Sequence, residues 1–282
     1  RASRAVTAGT DKHATISDAT HFVTKGGARR MSERFVLAQI SDTHVRADDD
    51  GLAGKQLRQA LAQARDYRAD AIVMTGDLAN DARPEEYAAL AEALADPPAP
   101  LYLMPGNHDD RARLRTAFPS HDYLPRTGDL SFVVDAFPVR IVALDQISPG
   151  DTYGLVTAEG AQWLETALSA APEKPTIVAL HHPPFPTHDI LFDRIGLHRA
   201  DVLAEVIARH RQVVRIVCGH HHRVVVGQVA HAPVVVAPST SWVYGLALHD
   251  SDKVAPKTSE RPGWMLHVWT QDGGCASHVM EL

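Results

Sequence analysis

The chain has only two cysteines in 282 residues, Cys218 and Cys275, too few for a disulfide framework in a domain of this size. It has no apolar run approaching the ~18–20 residues that would span a bilayer, so no membrane partner and a cytoplasmic location are expected. It has no excess of positive charge: the formal net charge of −6 supplies no basic footprint for a long nucleic acid. It also has no G-x-S-x-G elbow and no activated cysteine, so nothing points to a covalent enzyme intermediate. No internal repeat or low-complexity tract divides the chain after Met31. What remains is a globular chain long enough for one well-buried α/β domain.

Five short polar blocks each follow an apolar run. They are Asp42-Thr43-His44 after Phe35–Ile40, Gly76-Asp77 after Ala71–Thr75, and Gly106-Asn107-His108-Asp109 after Leu101–Met104. His181-His182-Pro183 follows Thr176–Leu180, and Gly219-His220-His221-His222 follows Val213–Val217. Each run reads as a buried strand, which puts each block at a strand's carboxyl end, where α/β sheets hold their sites. Carboxylate, amide and imidazole converging there suit Mn, Fe, Zn or Co, and together the blocks spell a two-metal site.

Spacing suggests roles. Asp42 and His44, like His220 and His222, are two apart, so continuation of an extended strand would turn each pair to one side. Asp77 has two oxygens and can bridge two cations ~3.5–4 Å apart. Asn107 offers a neutral oxygen. His108 suits a general acid, with Asp109 holding its ring. His181 is the expected ligand and His182 its outer partner, although spacing leaves open which ring faces inward. His188, Phe185, Phe192, Trp242 and Tyr244 follow the metal blocks in loops, where they either shape a substrate pocket or merely pack. A lone His210 or His267 calls for no function.

Helices are expected over Leu52–Tyr67, from Pro84 to about Leu94, over Thr157–Ala170 with Thr157 as cap, and over Arg199–His210. Leu130–Val134, Arg140–Leu144, Val224–Val229 and Val234–Ala237 read as strands, and Trp264–Thr270 as the one that closes the sheet region. Ser251–Pro262 reads as a loop. Residues 1–30 carry six basic residues against two acidic ones and no signal-peptide core. They are expected to be a vector-derived leader or a disordered arm, with 31–282 as a single catalytic domain.

The five strings resemble the calcineurin-like metallophosphoesterase superfamily, whose pattern runs D-x-H, G-D-x-x-[DN], G-N-H-[DE], H-x-P and G-H-x-H. The resemblance covers about Phe35 to Leu248. It implies an α/β fold, a four-layer αββα sandwich of two mixed β-sheets flanked by helices. It implies one metal on Asp42, His44, Asp77 and His222 and a second on Asp77, Asn107, His181 and His220. Asn80 takes an outer or water-mediated position, and His108 assists the leaving group. The strings from Arg83 to Tyr87, Leu101 to Asp110 and Trp163 to Glu165 resemble the bacterial class III phosphodiesterases, which act on glycerophosphodiesters or cyclic nucleotides. The segment after Thr240 departs from the glycerophosphodiesterase pattern, since Ser241–Pro262 lacks a cysteine.

The implied activity is hydrolysis of a small phosphodiester by a metal-bound hydroxide. Phosphomonoesterase, phosphotriesterase and nuclease chemistry compete within the fold. A catalytically silent metal-binding scaffold competes from outside it. A homo-oligomer, dimer or larger, is left open.

Overall fold

Strands and helices alternate along the chain in a computed structural model that describes residues 33–48, 51–249, 255 and 258–282. The expectation for residues 1–30 lies outside the described residues. The strands are β1 (Arg34–Ile40), β2 (Ala71–Thr75), β3 (Leu101–Met104), β4 (Phe132–Val134), β5 (Arg140–Ala143), β6 (Gly154–Leu155), β7 (Thr176–Ala179), β8 (Leu197–His198), β9 (Val213–Cys218), β10 (Val225–Val229), β11 (Ala232–Val236), β12 (Gly263–Thr270) and β13 (Gly274–Glu281). The helices are α1 (Leu52–Asp66), α2 (Pro84–Ala93), α3 (Arg111–Ala117), α4 (Ala158–Ser169), α5 (Ile190–Arg194) and α6 (Ala200–Arg209).

Two large mixed sheets result. The first runs β13-β12-β1-β2-β3 and the second β10-β11-β9-β7-β5-β4; β6 and β8 form a small parallel pair. In the first sheet β1, β2 and β3 are parallel, and in the second β5, β7, β9 and β11 are. Alternation along the second sheet's strands shows how the layers stack. Ile141, Ala143, Ile177, Ala179 and Val217 pack into one core with the first sheet. Their neighbours Val142, Leu144, Val178, Leu180 and Ile216 pack with Leu164 and Leu168 of α4 and Leu203 and Ile207 of α6. On the other side Leu57 and Leu61 of α1 and Tyr87 and Leu90 of α2 cover the first sheet. The order is therefore helix, sheet, sheet, helix, as the resemblance implies. Each fully buried Leu or Ile in these layers contributes roughly 1.5–3 kcal/mol.

Helix ends follow local chemistry. Thr157 caps α4 by accepting the Gly160 N–H at 3.0 Å. Pro84 opens α2, and Glu86 reaches back to accept the Arg83 N–H at 3.0 Å. Five elements escape the sequence reading, two of them the two-residue strands β6 and β8. Helices α3 and α5 are short, with one buried residue and none respectively. The sheet does not close at Trp264–Thr270: β13 pairs antiparallel beyond β12, with no fully buried position to give it an apolar signal.

Candidate metal centre

All five blocks leave the carboxyl ends of parallel strands. Asp42 and His44 follow β1, Asp77 follows β2, and Asn107 and His108 follow β3; across the gap His181 follows β7 and His220 and His222 follow β9. The first two loops are zipped together. The N–H of Asp42 donates to the Gly76 carbonyl at 3.0 Å, and those of His44 and Val45 to the Asp77 and Leu78 carbonyls at 2.9 Å.

The pairs two apart do converge, although not through extended backbone. Asp42, His44, Asp77, His220 and His222 have φ of 52°, 41°, 50°, 71° and 58°. Left-handed conformation at five non-glycine residues is strained, and such strain collects where surrounding structure fixes a functional geometry. Gly76, at φ 90°, is held to glycine by close approach as well: a Cβ there would lie 2.6 Å from His181 Nδ1 and 2.7 Å from Gly106.

Two donor groups result. Asp42, His44, Asp77 and His222 bring potential ligand atoms within 4.8 Å of one another, all buried. His44 Nε2 lies 2.9 Å from His222 Nε2 and 3.6 Å from Asp77 Oδ2, and His222 Nε2 lies 3.7 Å from Asp42 Oδ1. In the second group Asn107 Oδ1 sits 3.1 Å from His181 Nε2 and 3.0 Å from His220 Nδ1, and Asp77 Oδ1 is 3.3 Å from His181 Nε2. Asp77 thus turns one oxygen toward each group.

The donor set fits cations. His181 donates its Nδ1–H to the Thr75 carbonyl at 2.7 Å and His222 to the Trp242 carbonyl at 3.1 Å, which aims Nε2 of each at the cluster. This is the outer-shell pattern of ligating histidines. His182 also joins a three-histidine grouping with His181 and His220. Its Nε2, however, donates to the Thr152 carbonyl at 3.0 Å, so His181 faces inward and His182 packs behind, its ring 4.2 Å from that of His220. His221 turns away toward Thr187, 3.2 Å from its hydroxyl.

Electrostatics divide the donors into those already in the ligating form and those that must first give up a proton. Burial pushes the Asp42 carboxyl up to about 7, with the Asp77 charge adding to it against the pull of His181. Burial also opposes ionisation of Asp77, but His181, His44 and His108 hold it well below its usual range. His181 resists its own burial and rises to about 9 beside Asp77 and Asp42. Burial takes His44 down to about 3 and His220 and His222 well below 6.5, so these rings are neutral, the form that ligates a metal.

These shifts predict the pH dependence of the metal-free protein. His44, His182 and His267, each lowered to about 3 by burial, and His220 and His222 stay neutral when folded, whereas the unfolded chain protonates them below about 6.5. They therefore make stability fall as pH drops through that point. Asp42 and Asp109, raised to about 7 and about 6, take up protons on folding and oppose that fall. His181 adds stability that is lost only as pH rises toward about 9. Five histidines outweigh two carboxyls, so chelator-treated protein should melt at least roughly 5 °C lower at pH 5 than at pH 6.5. Equal melting temperatures would contradict these protonation states.

Around the donors the expected outer residues divide. His108 is exposed, and its Nδ1–H donates to the Asn80 backbone carbonyl at 2.6 Å. Asp109 does not hold the His108 ring. It is buried and accepts from the N–H groups of Leu78, Ala79 and Gly106 at 3.0, 3.1 and 2.9 Å and from the Tyr87 hydroxyl at 3.0 Å. Consecutive residues diverge here, and three amides in two loops compete better for the carboxylate than one exposed ring. The Asn80 side chain accepts from Arg46 at 2.9 Å and donates to Asp81 at 2.9 Å. His188 is exposed and in neither donor group, its backbone N–H bound to Asp193. The aromatic rim is instead Trp242, 4.7 Å from the His44 ring, Tyr244, 4.9 Å from His222, and Phe192, 5.5 Å from His220. Phe185 lies apart, against Gly227. Tyr87 and Arg46 carry no metal-site motif and were missed; the Arg83–Tyr87 string is the only signal near either.

The family model described as calcineurin-like phosphoesterase matches residues 35–224. The chain belongs to this family. Among curated relatives of this phosphoesterase, a probable glycerophosphodiester phosphodiesterase GpdQ of Arcobacter nitrofigilis is 30% identical over 260 residues, covering 86% of this chain and 92% of the relative. A 3',5'-cyclic adenosine monophosphate phosphodiesterase CpdA of Vibrio vulnificus is 29% identical over 260 residues, covering 89% and 92%. A dimetal phosphatase from Danio rerio shares the fold, with a TM-score of 0.61 at 15% identity over 88% of this phosphoesterase and 98% of that chain.

Proposed function

We propose that this calcineurin-like phosphoesterase is a binuclear-metal-dependent phosphodiesterase acting on small phosphodiesters, cyclic nucleotides or glycerophosphodiesters. The observation that carries this reading is Asp77, with Oδ2 toward His44 and Oδ1 toward His181, at the junction of the two donor groups. Asp42, His44, Asp77 and His222 would hold one ion and Asp77, Asn107, His181 and His220 the other. The ions are Mn, Fe, Zn or Co, between which such a donor set does not discriminate strongly. When bound, they supply Lewis-acid polarisation of the phosphoryl oxygens and a water acidified toward neutral pH.

The rest falls to the chain. The His108 N–H donates to Asp77 Oδ1 at 2.9 Å, which fixes the His108 backbone to the bridging carboxylate. With Nδ1–H spent on the Asn80 carbonyl, the imidazolium ring would give its Nε2 proton to the departing alkoxide and be left as the neutral Nδ1–H tautomer. The relatives' names favour the diester reading over monoesterase, triesterase or silent-scaffold alternatives. A homo-oligomer, and a cytoplasmic setting that keeps Cys218 and Cys275 reduced, complete the proposal. No helix among the described residues is long and apolar enough to cross a membrane.

The test is the leaving-group dependence of His108→Ala. On an alkyl diester such as glycerophosphoethanolamine kcat should fall by roughly 10²–10⁴. On bis(p-nitrophenyl) phosphate the fall should be much smaller, because nitrophenolate departs without a proton. Metal content should stay at two ions. Equal losses on both substrates would remove the general-acid role.

A further inference from the structure

Beneath the site a buried polar chain crosses the first sheet and reaches the second. Gln39 on β1 and His267 on β12 are 0% and 1% exposed. The Gln39 Nε2 donates to the Cys218 carbonyl on β9 at 2.7 Å and to Thr75 Oγ1 on β2 at 3.0 Å. Those two acceptors use both amide hydrogens and fix the amide's orientation. Gln39 Oε1 then faces His267 Nε2 at 3.0 Å, so His267 carries its proton on Nε2, and its Nδ1 accepts from the Ser277 hydroxyl on β13 at 2.7 Å. Thr75 Oγ1 donates onward to Ser41 Oγ at 2.8 Å. Every polar atom of the Gln39 side chain is satisfied, a condition under which a buried network specifies one geometry.

Its position gives the chain a task. The first sheet carries Asp42, His44, Asp77 and Asn107; the second carries His181, His220 and His222. Gln39 joins the sheets at Cys218, two residues before His220. Thr75, which Gln39 also holds, is the residue whose carbonyl receives the His181 Nδ1–H. A break in this clasp would let the second-sheet donors drift from those of the first.

We propose that Gln39, oriented by His267, is a positioning residue for the metal centre, setting the separation between the two halves of the donor set. The inference rests on the binuclear reading above. Its effect is greatest at the ion assigned to Asp77, Asn107, His181 and His220, where two of four donors come from each sheet. The ion assigned to Asp42, His44, Asp77 and His222 draws only one donor from the second sheet.

Mn(II) titration of the metal-free chain, read by calorimetry and by the spin-coupled signal of a dinuclear Mn pair, tests this without turnover. Gln39→Met keeps volume and removes the amide. It should weaken the second binding step by about 10–100-fold, the range for outer-shell partners, and lose the coupled signal at two equivalents. His267→Leu should act in the same direction, and His267→Gln, which keeps an N–H donor for Gln39, should restore affinity to within about threefold of wild type, well below that range of loss. A purely structural role would lower the melting temperature of the metal-free chain and leave both Mn affinities unchanged; that result, or His267→Gln behaving like His267→Leu, overturns the proposal. If Gln39→Met fails to fold, the His267 pair decides. Failure of wild-type protein to bind two ions would overturn the binuclear reading as well, whereas normal wild-type binding with unchanged variants would remove the clasp alone.

Discussion

Asp77→Ala should reduce kcat/KM on bis(p-nitrophenyl) phosphate by at least about a thousandfold, the equivalent of roughly 4 kcal/mol of transition-state stabilisation. The reason lies in the placement of two oxygens. Oδ2 is 3.6 Å from His44 Nε2 and Oδ1 3.3 Å from His181 Nε2, so one side chain serves both donor groups. On the proposed binuclear reading, its removal would take a ligand from each ion and the negative charge that offsets repulsion between them. It also releases the His108 backbone, whose N–H donates to Oδ1. Metal analysis of the purified variant should find fewer than two ions per chain, and circular dichroism should find the fold retained. Near-wild-type turnover with two bound ions would show that Asp77 bridges nothing.

The largest expected effect on stability belongs to Asp109. Its carboxylate gathers the N–H groups of Leu78 and Ala79 from the loop after β2, that of Gly106 from the loop after β3, and the Tyr87 hydroxyl from α2. Burial raises this carboxyl to about 6, yet it is still ionised at neutral pH. Asp109→Ala leaves four donors without their acceptor in a dry site, which costs about 3–5 kcal/mol and lowers the melting temperature by roughly 6–15 °C. The two loops it ties carry Asp77 and Asn107, so activity should fall by about a hundredfold as these donors lose their register. Asp109→Asn keeps one acceptor oxygen and should lie between wild type and alanine. A melting temperature within a degree or two of wild type for Asp109→Ala would refute the loop-clamp role, since so small a shift corresponds to less than about 1 kcal/mol.

Sequence and structure part company in instructive places. Strands β2 and β3 run over the residues that the apolar pattern marks, because strands buried on both faces read as unbroken hydrophobic runs. The converging residues were legible because carboxylates and imidazoles at strand ends have few other uses in such number. Their backbone was not legible. Five non-glycine residues at positive φ are imposed by the packing of one loop on another, as in the pairing of Asp42 and His44 with the loop after β2. Period-two spacing therefore led to side chains that do converge, but through a different backbone geometry.

Asp109 shows a second limit. Adjacency to His108 suggested a partnership, but the groups that claim its carboxylate lie 22 to 31 residues away as well as three residues back. Strand β13 shows a third: an edge strand with no buried residue leaves no apolar trace, yet Ser277 on it anchors the chain that ends at Cys218. His267, unremarkable as a lone histidine in a strand, is legible as part of that chain only once β12 is seen beside β1.

The most direct test of the phosphodiesterase reading is kcat/KM of Mn-reconstituted protein on bis(p-nitrophenyl) phosphate and p-nitrophenyl phosphate side by side. A strong preference for the diester, abolished by chelation and restored by Mn, is the predicted result. A preference for the monoester under the same conditions would contradict the assigned substrate class while leaving the donor geometry intact.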